Sequence, residues 1–476
     1  MANPFSLIIA GVDGGANLLD LPAPTATTTP YVELGSLSLT LSADGSPGAM
    51  NFTVIEPKTP SGTLPWWRSG AVYDNARVQF FDSRYNASTP LFLGYISNIQ
   101  GELLENGVGT RASVQVTGAT GWLQQTIVRN GKTGIRATSY VDSFTQGGST
   151  STDRDHINAL LSRVHTQVND ATTREILNTA VISGSTRAIF TGTARTIGKQ
   201  TFKATTLQSA LDQIAEEAGG VADVQYRFWI DGNGRLNYGP KEVAPTYATA
   251  PAEIVTDPAS IQTGSTTTPT RLLARDLSVN LDHDDIVKGI FVMADSAYAR
   301  YDSNQTYPTA PTNDPYFRTY NGTYSRNGAG QATRNGPLPH EVFSAPKVVA
   351  KSDRGGTIGS LARATMVSRG KPRRTVSFTI AGGNLSQTAS PDWEYGYSQG
   401  YPAAAATPYT LVKAWLPGMY VKVNAPSLDL SNAVLYIPTV TMRFAEGGGT
   451  YQVQYEIEAD FRRQYLKGLN VLIGAD

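Results

Sequence analysis

No cysteine occurs anywhere in the 476 residues, so neither disulfides nor thiolate metal sites can hold this fold together. Stability must come from packing or from assembly. Charge is scarce as well. Asp, Glu, Lys and Arg make up 16% of the chain, and 39 basic residues balance 39 acidic ones. That balance leaves no net field to draw in nucleic acid or an anionic membrane, which argues against a DNA-grasping role. No window approaches the ~18 apolar residues of a membrane span. The opening stretch "MANPFSLIIAGVDGG" has no basic n-region and only about seven apolar residues, so no cleaved signal peptide is expected. Synthesis in a cytosol follows as an expectation.

What the chain does have is the material of short strands and turns: 46 Gly, 27 Pro and 23 Tyr, with abundant Thr and Ser. In "LSLTLS", Leu37, Leu39 and Leu41 share one face at the period of two that a half-buried strand demands. Similar strands recur up to residue 118, at the spacing of a barrel or sandwich. From 119 the pattern turns helical. Ile157, Leu160, Leu161, Val164 and Val168 form one stripe with Thr152 as N-cap. Leu207, Leu211, Ile214 and Ala218 form another, with capping-box spacing at Thr205 and Gln208 and a C′ glycine at Gly219. A hairpin follows, in which Val224, Tyr226, Phe228 and Ile230 turn back through Asp231-Gly-Asn-Gly234.

The chain then repeats itself. Leu277, Val279 and Leu281 echo Leu37, Leu39 and Leu41, and Ile290 and Val292 are read as echoes of Phe52 and Val54. The passage 418–460 repeats the layout of 76–116, with Val421 for Val78 and Ile437-Pro-Thr-Val440 for Ile96-Ser-Asn-Ile99. The expected fold class is therefore mainly β with a small α/β part: two duplicated tube-like β-barrels, an α/β domain between them and an insertion in the second barrel. The expected domains are 1–118 (first barrel), 119–258 (α/β), 259–295 with 372–476 (second barrel, split) and 296–371 (a Tyr-rich insertion).

Catalytic motifs fail on inspection. "NGKTG" (130–134) has Thr126 where a phosphate-binding loop needs glycine. "GYSQG" has Ser398 in a loop, with no His after it. Asp282 to Asp285, "DHDD", reads as a charged turn, and whether it holds a cation is left open. The Asp231 turn has Arg235 where a calcium loop needs a ligand. The four His, at 156, 165, 283 and 340, show no zinc spacing. No catalytic residue, metal site or cofactor is expected. The insertion alone has a physical basis for binding, since Tyr301, Tyr307, Tyr316, Tyr320 and Tyr324 offer flat amphipathic faces to a partner protein or a host sugar.

The phrases "LGSLSLTLSADGSPGAMNFTVIEP", "NARVQFFDSRYNASTPLFLGYISNIQG", "TLQSALDQIAEEAGGVADVQYRFWIDGNGRLNYGPKE" and "WLPGMYVKVNAPSLDLSNAVLYIPTVTMRF" together span most of the chain. Their arrangement resembles the bacteriophage tail hub family: the myophage baseplate hub, the N-terminal part of siphophage tail-associated proteins, and the hub part of type VI secretion spikes. The resemblance implies a homotrimeric, non-enzymatic structural protein at the virion tail tip. It would join a six-fold tail tube or distal tail protein to three-fold tip or fibre proteins, meet the tape measure protein, and pass DNA without reading its sequence. Family members with cell-wall hydrolase activity carry it on an appended domain, for which residues beyond the second barrel leave no room. The Tyr-rich insertion has no counterpart in the resemblance and keeps a second reading open, that of a glycan-binding or glycan-cleaving β protein.

Overall fold

The computed structural model describes residues 5–10, 31–57 except 44, 76–104 except 83–88, 109–128, 143–167, 188–240 except 204 and 223–225, 252–256, 270–282, four strands within 289–345, 373–384, 417–447 except 429, and 450–460. In the first part, β1 (Phe5–Ala10), β2 (Tyr31–Ser42), β3 (Ala49–Pro57), β4 (Arg77–Asp82), β5 (Phe92–Leu103) and β6 (Gly109–Gly118) pair in the order β1-β4-β5-β6-β3-β2, all antiparallel. The alternation read from "LSLTLS" sets the faces. Leu37, Leu39, Met50, Phe52, Val54, Val78, Phe80 and Val114 are all at most 2% exposed, and each such side chain contributes roughly 1.5–3 kcal/mol on burial.

The middle part carries α1 (Asp153–Gln167), β7 (Ala188–Phe190), α2 (Leu207–Ala222), β8 (Tyr226–Ile230) and β9 (Leu236–Pro240). Its core is Leu123, Ile157, Leu160, Leu161, Phe202, Leu207, Leu211, Ile214, Ala218, Phe228 and Tyr238, so the second helical stripe faces inward as expected, as do Ile157, Leu160 and Leu161 of the first; the side chains of Val164 and Val168 lie outside the described residues. Thr152 does cap α1: its hydroxyl accepts the Asp155 N–H at 3.3 Å, and in return its backbone N–H and hydroxyl donate to Asp155 Oδ2 at 2.9 and 2.8 Å. The ends of α2 differ from expectation. Thr206, one residue later than Thr205, caps it by accepting the Ser209 N–H at 3.2 Å. The helix also runs through Gly219 to Ala222, because the buried Ala218 holds that turn against the core.

The last part returns to strands: β10 (Ala252–Val255), β11 (Thr270–Leu273), β12 (Arg275–Asp282), β13 (Arg373–Asn384), β14 (Tyr420–Ala425), β15 (Leu430–Gly447) and β16 (Thr450–Asp460). Here the order β14-β15-β16-β13-β12 repeats β4-β5-β6-β3-β2, again antiparallel throughout. The registers also coincide. Val78 faces Gly94 as Val421 faces Leu435. Ile99 faces Val114 as Val440 faces Ile457. Leu39 faces Met50 as Val279 faces Val376. Even the bulges recur, between Ile96 and Asn98 in β5 and between Tyr436 and Thr439 in β15.

Three sequence expectations need correction. First, among the described residues the strands of the two expected barrels run on into one 13-stranded sheet and no closed barrel is found, because β2 continues into β15 through Ser38↔Arg443 to Ser42↔Thr439. Second, the echoes of Phe52 and Val54 are Phe378 and Ile380 on β13, since these face Ile457 and Tyr455 as Phe52 and Val54 face Val114 and Ala112. Ile290 and Val292 lie instead on strand Gly289–Ala294, in a separate four-stranded sheet with Tyr298–Asp302, Phe317–Thr319 and His340–Ala345. Third, Ala252–Val255, included in the expected α/β domain (119–258), pairs in parallel with β14, where Ile254 is fully buried.

Asp282 and Arg373 are register partners, so the chain leaves the large sheet after β12 and re-enters it directly opposite. Replacing residues 283–372 by an Asn-Gly turn should therefore leave the large sheet folded, since a two-residue connection suits antiparallel neighbours. Far-ultraviolet circular dichroism should keep its β signature and the melting transition should stay cooperative; loss of both would show the excised segment to be part of the core.

Candidate functional site

The sequence-level candidates scatter. Tyr301 lies on strand Tyr298–Asp302 opposite Ile290, whereas Tyr307, Tyr316, Tyr320 and Tyr324 lie outside the described residues, as do Ser398 and residues 130–134 and 283–285. Asp282 ends β12. Among the described residues no group of three or more His, Asp and Glu is placed to hold a metal, and no helix is long and apolar enough to cross a membrane. The Asp231 carboxylate is used up in its own turn. Its Oδ1 accepts the N–H groups of Asn233 and Arg235 at 2.9 and 3.0 Å, and its Oδ2 accepts from Arg235 Nε at 3.0 Å.

A buried polar cluster in the middle part was not legible as such. Asp153, His156 and Tyr238 are at most 1% exposed. Asp153 Oδ1 accepts the N–H groups of Arg154 and Arg195 at 2.8 and 2.9 Å, tying the start of α1 to the chain beside β7. His156 Nε2 lies 2.6 Å from the Gly198 carbonyl. Burial first, and then the neighbouring Asp153 charge, push the Tyr238 phenol well above its ordinary value. Through Asp153 and His156 this cluster ties the start of α1 to the backbone of residues 195–198.

The middle part is clamped onto the large sheet by two tyrosines at equivalent places. Tyr95 on β5 accepts Gln125 Nε2 at 2.9 Å, and burial raises its phenol. Tyr436 on β15 accepts Arg227 Nη1 at 3.4 Å, and the Arg227 guanidinium lies 4.7 Å from the Trp229 ring centre. Both tyrosines are 3% exposed. Between them, the Ile230 N–H donates to Thr120 Oγ1 at 3.3 Å. A Cβ on Gly232 would sit 1.8 Å from the Pro90 carbonyl oxygen, so this turn meets the sheet with no space to spare. One signal was available in the sequence: "GYISN" and "LYIPT" both set the tyrosine before the paired isoleucine.

The remaining surface with functional character is backbone. Among the described residues β12 pairs only with β13, and β5 beyond its bulge pairs only with β6. Each leaves one row of N–H and C=O groups open, a template for another strand. Leu103, at the end of β5, is 79% exposed.

No protein-family model and no curated protein matches the chain. Solved structures do. A tail protein from Neisseria meningitidis MC58 superposes with a TM-score of 0.52 at 12% identity, over 98% of this chain and 99% of that one. The 43 kDa tail protein of prophage MuSo2 from Shewanella oneidensis superposes with a TM-score of 0.50 at 10% identity, over 91% and 94%. The fold is thus that of phage tail proteins, over nearly the full length of both chains.

Two outcomes test the clamp and the cap. Gly232→Ala should destabilise by about 1–3 kcal/mol, the usual range for overpacking, read as a lowered melting temperature. The Asp155 carboxyl is held below its ordinary value by the Thr152 backbone and hydroxyl hydrogen bonds. Because its folded pKa is depressed, its stabilisation is complete above the unfolded value of about 3.9 and is lost as pH falls through the lower folded value. Asp155→Asn should therefore lower the melting temperature at pH 7 but bring no further loss at pH 2, where a persisting difference would rule out the carboxylate as the cause.

Proposed function

We propose that the chain is a structural hub protein of a phage tail tip, one of three copies in a ring around a channel. The observation that carries this reading is the register-for-register repetition of a five-strand unit within one chain. A chain with two copies of one unit presents six similar faces when three chains close a ring, yet keeps three-fold symmetry. It can thereby join a six-fold tail tube or distal tail ring to three-fold tip or fibre proteins, with the tape measure protein as a further neighbour inside the tail. The likeness in fold to two tail proteins supports the same reading, and its place is then the virion.

Near-zero net charge fits both roles of such a ring. It leaves little repulsion to oppose packing of copies, and a channel wall without clustered cations lets phosphates pass without being held. The role is architectural rather than catalytic, and DNA passes without base recognition. The insertion, with Tyr301, Tyr307, Tyr316, Tyr320 and Tyr324, contacts another tail protein or the host surface in this reading.

Averaged electron-microscope images of the tail tip test it. Three copies of the chain, showing six similar β units around a channel, are the expected result. Six copies at the tip, or one β unit per copy facing the channel, would overturn it.

A further inference from the structure

The seam inside the chain predicts the seam between chains. In the first five-strand unit the last strand is β2, and it pairs with the second unit along β15, beyond that strand's bulge: Ser38↔Arg443, Leu39↔Met442, Thr40↔Thr441, Leu41↔Val440 and Ser42↔Thr439. The counterpart of β2 is β12 and the counterpart of β15 is β5. These counterparts both stand with an open edge among the described residues, as do β1 and β11 at the two ends of the sheet order. We infer that β12 of one copy adds antiparallel to β5 of the next, in the register Ser278↔Glu102, Val279↔Gly101, Asn280↔Gln100, Leu281↔Ile99 and Asp282↔Asn98. The inference rests on the ring reading and names its joint.

Burial supports the assignment. Leu37, Leu39, Val440, Met442 and Phe444 are at most 3% exposed along the internal seam. Their counterparts on the open edges are less buried: Leu277, Val279 and Ile99 pack against the core but are only partly buried, Gly101 stands in place of Met442, and Leu103, the counterpart of Phe444, is 79% exposed. In the inferred register Leu103 comes opposite Leu277, as Phe444 comes opposite Leu37, so both edges bury their apolar residues against one another.

The polar positions match too. Thr40 and Thr441 meet through their hydroxyls at 3.1 Å, and the pair in their place, Asn280 and Gln100, carries two side-chain amides able to bond in the same way. The contact is head to tail, since β12 and β5 are different strands. It therefore leaves one β12 and one β5 edge free on every open chain of copies, and only closure into a ring satisfies them all.

The absence of cysteine makes a clean test. Asn280→Cys and Gln100→Cys are prepared as separate proteins, one carrying a size tag, then mixed and oxidised, and run on non-reducing gels. Both positions are exposed, and directly opposed residues on antiparallel strands lie within the ~4.4–6.8 Å that a disulfide spans. The expected result is a mixed dimer from this pair, absent when Asn280→Cys is mixed with Ser113→Cys, one strand further away. Leu103→Asp should shift the mass by light scattering from three chains toward the single 50.9 kDa chain. Three-chain particles without the specific cross-link would overturn the seam and leave the ring standing. Cross-linked chains longer than three would uphold the seam and overturn the ring. A chain that stays single at every concentration and never cross-links would overturn both.

Discussion

An unpaired strand edge in water is a liability, and the need to pair each edge organises this molecule more than any single side chain does. Most strands of the two five-strand units have partners on both sides. At β2 the first unit runs out of its own strands, and there the second unit takes over through β15. The junction is sealed by aromatic packing across it: Phe444 from β15 meets the rings of Phe5 and Phe80 edge-on, at centroid separations of 5.0 and 5.6 Å. Backbone pairing sets the direction of the seam, and burial of these rings makes it costly to open.

The middle part depends on the same junction. Its two anchors, Gln125 on Tyr95 and Arg227 on Tyr436, use one tyrosine from each unit, so a change in the angle between the units would pull on both. The tight fit of the Asp231 turn against Pro90 leaves little slack in between. The α/β part is thus coupled mechanically to the relative setting of the two β units.

Polar groups inside the molecule serve this architecture. Asp153 and His156 are buried and bonded to the backbone of Arg154, Arg195 and Gly198, which ties the start of α1 to the chain that follows β7. The Asp231 carboxylate closes a hairpin.

Alternation at a period of two and stripes at 3.6 were enough to reveal the mainly β character, both long helices and the Asp231 hairpin, because burial of one face leaves its period in the residue order. The paired phrases also carried true register: Leu277, Val279 and Leu281 do stand where Leu37, Leu39 and Leu41 stand. Where residue order misled, at Ile290 and Val292, a short apolar alternation fits any strand, and only hydrogen bonding shows which sheet receives it. Of the clamp the sequence carried only the repeated Tyr-Ile pair, Tyr95-Ile96 and Tyr436-Ile437, and of the continuous seam nothing. They depend on residues hundreds of positions apart meeting in space, and neither the approach of Gly232 to Pro90 nor the choice of β15 as the neighbour of β2 leaves a local trace. Sequence by itself determined which faces are apolar and that one unit occurs twice; only the tertiary structure decided how the two units join, since pairing partners are chosen by edge geometry and not by composition.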